Sequence, residues 1–135
     1  MNHWLICLPR EDLEHCMKAG VFGLSRKHVL GNVKKGDLII CCAGKGDWKI
    51  IGFGEAISDY YVDVSAVFLK SGCFPDRFDF QSRRLGTGKE VDLMGIIDRL
   101  SFVSNLAYWA VYFRNVIARC TEADWELITK AAKVS

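Results

Sequence analysis

Two stretches decide the fold: Val21-Phe22-Gly23-Leu24-Ser25-Arg26-Lys27-His28, and Lys34 to Asp59, KKGDLIICCAGKGDWKIIGFGEAISD. A Lys35-Gly36-Asp37 turn hands over to Leu38-Ile39-Ile40-Cys41-Cys42-Ala43, an unbroken apolar run expected to form a central strand. Gly44-Lys45-Gly46-Asp47 reads as the turn of a hairpin. Simple alternation along the return strand, Trp48 to Ile57, sets Ile51, Phe53 and Ile57 on one face and Gly52, Gly54 and Ala56 on the other. Glycines inside a strand mark a bend, a bulge or a close backbone approach, as small barrels require.

Upstream, His3 to Leu8 (HWLICL) is short, apolar and bounded by Pro9, which fits a buried strand. Pro9 can open a helix, and Glu11, Asp12 and Glu14 favour the positive end of its dipole. Leu13, Cys16 and Met17 share one face of that helix, and Gly20 stops it. Val21 to Leu24 is a brief extended piece ahead of an irregular basic loop. Downstream, Tyr60 to Leu85 is less regular and rich in aromatics, with a strand expected at Asp79 to Arg84. Asp92 is expected to cap a helix carrying Leu93, Ile96, Ile97 and Leu100 at i, i+3, i+4, i+7. Tyr108, Trp109, Tyr112 and Phe113 cluster beside Arg114, and Val116 to Ala118 is strand-like. Thr121-x-x-Asp124 resembles a capping box opening a final helix that buries Trp125, Ile128 and Ala132. The chain reads as α+β: strands curled into a sheet, helices between and after them, one domain over residues 1–135.

A chain of 135 residues, half of them hydrophobic and a quarter charged, can bury a substantial core without staples. No basic leader precedes an apolar segment, and no apolar run approaches the roughly 20 residues of a membrane helix. A soluble, cytoplasmic protein is expected. The six cysteines contain no CxxC pair and no CxH cluster, so they read as free, mostly buried thiols rather than a disulfide or zinc framework. The net charge of +2 is unremarkable, but its distribution is uneven. Arg26, Lys27, Lys34, Lys35, Lys45 and Lys49 face only Asp37 and Asp47 between Gly20 and Ile50, and Lys70, Arg77, Arg83, Arg84 and Lys89 form a second group. Two basic loops suit a phosphate backbone, although solvated loops would look the same. Catalysis has little support. The three histidines match no metal or triad spacing, and adjacent Cys41 and Cys42 should point to opposite faces.

The order of these motifs resembles the EVE domain family, within the PUA-like superfamily that also holds the YTH domains. His3-Trp4-Leu5 is similar to the family's opening aromatic strand, and Val21-Phe22-Gly23-Leu24 to its aromatic-Gly turn. Gly36-Asp37-Leu38-Ile39-Ile40 matches its GD turn into an apolar strand. Lys49-Ile50-Ile51-Gly52-Phe53-Gly54-Glu55-Ala56-Ile57 resembles its glycine strand. Ile97-Asp98-Arg99-Leu100-Ser101-Phe102, Trp109-Ala110-Val111-Tyr112-Phe113-Arg114 and Thr121 to Ile128 continue the likeness to the end of the chain. The resemblance implies a PUA-like β pseudo-barrel of about five to six strands with flanking helices. It implies a non-catalytic module, with no cofactor and no metal, whose pocket receives a modified nucleobase of DNA or RNA.

Carried residue by residue, the resemblance puts Phe22, Gly23, Leu24 and Ser25 at the base pocket, with Trp4 and Trp109 as further aromatic candidates. Arg26, Lys27, Lys34, Lys35 and Arg114 become the phosphate rim. The chain departs from the family at three places: Phe22 stands for a tryptophan, Ile40-Cys41-Cys42 for an aromatic strand, and Ser25-Arg26-Lys27 for an Arg-Asn-Tyr. Each candidate also has a plainer reading, with Trp4 in the core and Trp109 packed among its aromatic neighbours. The alternative function is a small-ligand sensor or protein-interaction module on the same barrel. If Phe22 stands in an exposed turn, Phe22→Ala should fold normally.

Overall fold

The computed structural model describes residues 1–24, 32–44, 46–63, 76–86, 88–103, 107 and 117–132. Ser25, Arg26, Lys27, Trp109 and Arg114 lie outside them. The apolar runs become strands because their backbone groups find partners across the chain. Strand β1 (His3–Leu8) lies parallel to β3 (Leu38–Ala43), with Trp4 opposite Ile39 and Cys7 opposite Cys42. Strand β4 (Lys49–Ala56) returns antiparallel to β3 and pairs on its other side with β6 (Asp76–Arg84). Beyond β6 lies β2 (Val21–Leu24), and beyond β1 lies β8 (Ile117–Cys120). The sheet runs β2-β6-β4-β3-β1-β8, with the two-residue strands β5 (Tyr61–Val62) and β7 (Val91–Asp92) pairing with β6 and β4. Six strands on the main path match the expected number; β5 and β7 were not expected.

Side-chain alternation divides the core in two. Trp4, Ile6, Ile39, Cys41, Ala43, Phe78 and Phe80 pack on one face with Leu13 and Cys16 of helix α1 (Arg10–Ala19). Leu5, Cys7, Ile40 and Cys42 face the other way, toward Ile128 of helix α2 (Glu122–Ala131) and the apolar residues of 93–100. An eight-stranded mixed sheet curls into a half-barrel between these two helices, the α+β, PUA-like architecture. Cys41 and Cys42 do point to opposite faces. No described helix is long and apolar enough to cross a membrane.

Local signals in the sequence act as expected at both helices. Gly20 ends α1 in the left-handed region (φ 73°) and its N–H reaches the Cys16 carbonyl. The Thr121–Asp124 capping box is complete, each side chain accepting the other's backbone N–H. Asp92 also caps, but what it opens is a pair of 3-10 turns, Leu93–Gly95 and Ile97–Arg99, in place of the expected helix. Gly95 weakens a helix there by about 1 kcal/mol. The four apolar residues are buried all the same, because a spacing of three suits the tighter turn as well.

Strand β4 departs from simple alternation. Cys41 pairs with Gly52 and Cys42 with Ile50, so Ile51 is an extra residue in a bulge. Ile51 therefore joins the α1-side core while Phe53 packs on the opposite side, correcting their expected shared face. The glycines beyond the bulge are needed for close approach. A Cβ on Gly54 would lie 2.5 Å from the Gln81 carbonyl oxygen, and one on Gly52 would lie 2.7 Å from that of Arg83.

Candidate functional site

The parallel β1–β3 pair and the antiparallel pairs beyond it gather several strand ends on one side of the half-barrel. The first residues of β1 and β3, the last of β4, the first of β6 and the last of β2 all meet there. The Gly36-Asp37 turn anchors this end. Gly36 N–H donates to the Ala56 carbonyl, and Ala56 N–H to that of Asp37, both at 2.8 Å. The Asp37 carboxylate is 3% exposed and accepts from the Asn2 backbone N–H at 3.0 Å, the Trp4 indole N–H at 2.9 Å and the Lys34 backbone N–H at 2.9 Å. Burial alone would push this carboxyl up; the hydrogen bonds outweigh it and hold Asp37 below the usual carboxylate range. The turn motif thus bolts the first strand's tryptophan to the sheet.

Beside this anchor, the α1-side face carries an aromatic cluster. Phe22 sits opposite Phe78, ring centroids 5.5 Å apart, and Phe78 lies 5.9 Å from Phe80. Trp4 belongs to the same α1-side core, and Tyr60 packs against that core. Phe22 is fully buried, so it does not stand in an exposed turn, and the expectation that Phe22→Ala folds normally is corrected. Gly23 is buried and pairs with Arg77, and the Leu24 backbone pairs with Asp76.

A polar group borders the cluster where β2, β5 and β6 meet. Tyr60 donates its hydroxyl to Asp76 Oδ1 at 2.6 Å, and Tyr61 donates to Asp79 Oδ1 at 2.6 Å. The hydrogen bond to Asp76 raises Tyr60; burial and the Asp79 carboxylate push Tyr61 up to about 12. Arg77 is 1% exposed and 3.9 Å from Asp63, so it is no part of a solvent-facing basic loop. Arg83 and Arg84 sit on strand β6, where Arg84 pairs with Glu14 and lies 3.8 Å from Glu90. Arg77, Arg83 and Arg84 of the second basic group therefore lie on a strand, with Arg77 and Arg84 engaged, which corrects the loop reading for these three; Lys70 lies outside the described residues.

Of the residues assigned to the pocket, the structure buries Trp4 and Phe22 in the same α1-side core and pairs the Gly23 and Leu24 backbone with Arg77 and Asp76 of β6. Lys34 and Lys35 are exposed at the same end, and Lys35 is fixed through its backbone N–H, which donates to Asp59 Oδ1 at 2.8 Å. Sequence reasoning missed Asp37's part in holding Trp4, left Asp76 unmentioned, and gave Arg77 and Tyr60 no place beside the candidate pocket. The Asp37–Trp4 and Tyr60–Asp76 contacts span 33 and 16 residues, and nothing in local spacing marks them.

The described cysteines are free and buried. Burial pushes Cys16 and Cys120 up to about 12, and a hydrogen bond with Cys7 together with burial holds Cys42 well above the ordinary thiol range. Protonated thiols of this kind are poor nucleophiles and poor metal ligands. Among the described residues, no group of three or more His, Cys, Asp or Glu could hold a metal ion.

No protein-family model matches the chain. The UPF0310 protein PH1033 of Pyrococcus horikoshii is 30% identical over 145 residues, covering 96% of this chain and 98% of its own length. Among solved structures, human THYN1 in complex with 5-methylcytosine-containing DNA superposes with a TM-score of 0.63 at 13% identity, over 100% of this chain and 99% of its own. The Mmi1 YTH domain matches with a TM-score of 0.63 at 10% identity, covering 98% of this chain and 88% of its own. The fold is that of the EVE domains, PUA-like and shared with the YTH domains, and by its kinship with PH1033 the chain belongs to the UPF0310 family.

Proposed function

We propose that this chain is a non-catalytic nucleic-acid-binding module that receives a modified base at the Trp4–Phe22 end of the half-barrel. The observation that carries the reading is the full-length likeness of fold to human THYN1, which binds DNA containing 5-methylcytosine. The site's chemistry suits the task. An extruded base needs apolar or aromatic groups against its faces and hydrogen-bonding groups at its edge. Stacking contributes about 1–3 kcal/mol per base, and a buried methyl adds about 0.8 kcal/mol. Trp4, Phe22, Gly23, Leu24, Ser25 and Trp109 form the pocket in this reading. Lys34 and Lys35, with Arg26, Lys27 and Arg114, supply the sequence-independent attraction to phosphates.

The test is a tryptophan-fluorescence titration with single-stranded oligonucleotides carrying unmodified, 5-methylated or N6-methylated bases, at two salt concentrations. The expected result is tighter binding to one modified strand, weakening as salt rises. Absence of binding to every strand overturns the proposal. Mass spectrometry of the native protein would then look for a bound metabolite.

A further inference from the structure

Asp76 is the group in this end of the molecule whose chemistry is left half used. It begins β6, directly opposite Leu24 in β2, and shares the α1-side face with Phe78 two residues on. Its side chain is 9% exposed, and Oδ1 accepts the Tyr60 hydroxyl. Among the described residues, Oδ2 has no hydrogen-bond partner, whereas every fully buried side-chain nitrogen or oxygen has one. Oδ2 therefore keeps access to the surface, on the residue that Tyr60 holds.

Resting on the function proposed above, we infer that Asp76 is the base-edge reader of this site and selects bases that carry an exocyclic amine. A carboxylate oxygen accepts hydrogen bonds and offers none. It matches the N4 amine of cytosine or the N6 amine of adenine, and it repels the carbonyl oxygen that thymine or hypoxanthine presents at the same position. The Tyr60 hydroxyl fixes the carboxyl group's rotation, so the free oxygen is set before a base arrives. A site built around a buried acceptor discriminates strongly, because the wrong base leaves that acceptor unmatched.

Two pairs of strands vary the amine at constant methylation. 5-Methylcytosine and thymine share the 5-methyl group and differ at C4, with a proton added at N3 of thymine; adenine and hypoxanthine differ at C6, with a proton added at N1 of hypoxanthine. Titrated against the full chain, the amine-bearing member of at least one pair should bind about tenfold tighter than its oxo partner. Asp76→Asn, whose amide can turn to donate or accept, should shrink that ratio toward one. Equal affinity within both pairs, or tighter binding of an oxo base, overturns the assignment and leaves the module's nucleic-acid function standing. An unchanged ratio in Asp76→Asn overturns it too. If no strand binds, both readings fall. The comparison in the unaltered protein stands by itself should Asp76→Asn fail to fold.

Discussion

Two buried aspartates sit at the same end of the sheet, and they are treated differently. Asp37 accepts three hydrogen bonds from three separate points of the chain: Asn2, Trp4 and Lys34. Among the described residues, Asp76 accepts one, from Tyr60. A carboxylate whose lone pairs are taken up by the protein is a structural joint. One that is held by a single oxygen is positioned and still has bonding capacity. The contrast separates what holds the fold from what the fold presents.

The sharpest way to break this comparison is to delete each carboxyl group in turn. Asp37→Ala strands three donors at once, including an indole N–H in an apolar core, and should destabilise by about 3–5 kcal/mol. Asp76→Ala frees only a tyrosine hydroxyl that can turn to water, at about 1 kcal/mol. Urea midpoints of the two variants measure the difference directly. Equal losses would make Asp76 a joint like Asp37 and remove its distinction.

Phe22→Ala follows closely. The ring is fully buried against Phe78, so the truncation leaves a cavity and should cost about 3–5 kcal/mol. Any loss of oligonucleotide binding in that variant has to be read beside its thermal melt. Phe22→Leu keeps most of the volume, should lose about 1 kcal/mol, and is the better probe of stacking.

Much of the frame was legible in the sequence, for physical reasons that are visible in retrospect. Strands β1 and β3 are flanked on both sides and packed on both faces, so they read as unbroken apolar runs, and their limits were found residue for residue. Gly20 and the Thr121–Asp124 box act within four residues of their targets, and local signals of that range are written locally. The β4 bulge was hinted at by Gly52 and Gly54, yet its place depended on pairing with β3 and β6, which alternation cannot register. The site was less legible than the fold. Trp4 and Phe22 stood out as aromatics, but Asp37 and Asp76 gain their meaning from partners 33 and 16 residues away.

Acid sharpens the comparison further. The folded-state carboxyl of Asp37 lies below its usual range, as does that of Glu90, held by the Arg10 guanidinium through two bonds of 3.0 Å. A depressed carboxyl contributes stability that is fully present above its unfolded value of about 4 and is lost as pH falls through the folded one. Denaturant midpoints should therefore be flat from neutral pH to about 5 and drop below about 4. In Asp37→Asn the drop should be shallower, since one of three depressed carboxyls is gone. The third is Asp124, which, against burial, Ser101 and Thr121 hold below its usual range. An equally steep drop would assign acid sensitivity to Glu90 or Asp124 instead.

The smallest effect on stability belongs to Lys34 and Lys35, and it tests whether this end of the sheet faces a polyanion. Both side chains are exposed, while their backbone N–H groups are spent on Asp37 and Asp59. Substitution by alanine keeps those backbone bonds, so folding stability should change by less than about 0.5 kcal/mol. Binding should respond quite differently. Each lysine that neutralises a phosphate contributes about 0.7 to the slope of log affinity against log salt on a single strand. The double variant should flatten that slope by about 1.4 while keeping the preference between modified and unmodified bases, because phosphate contacts carry affinity and not base identity. A slope unchanged in the double variant would move the phosphate contacts elsewhere on the molecule. A lost base preference would instead place these lysines at the base edge, and the division between a base reader and a basic rim would have to be redrawn.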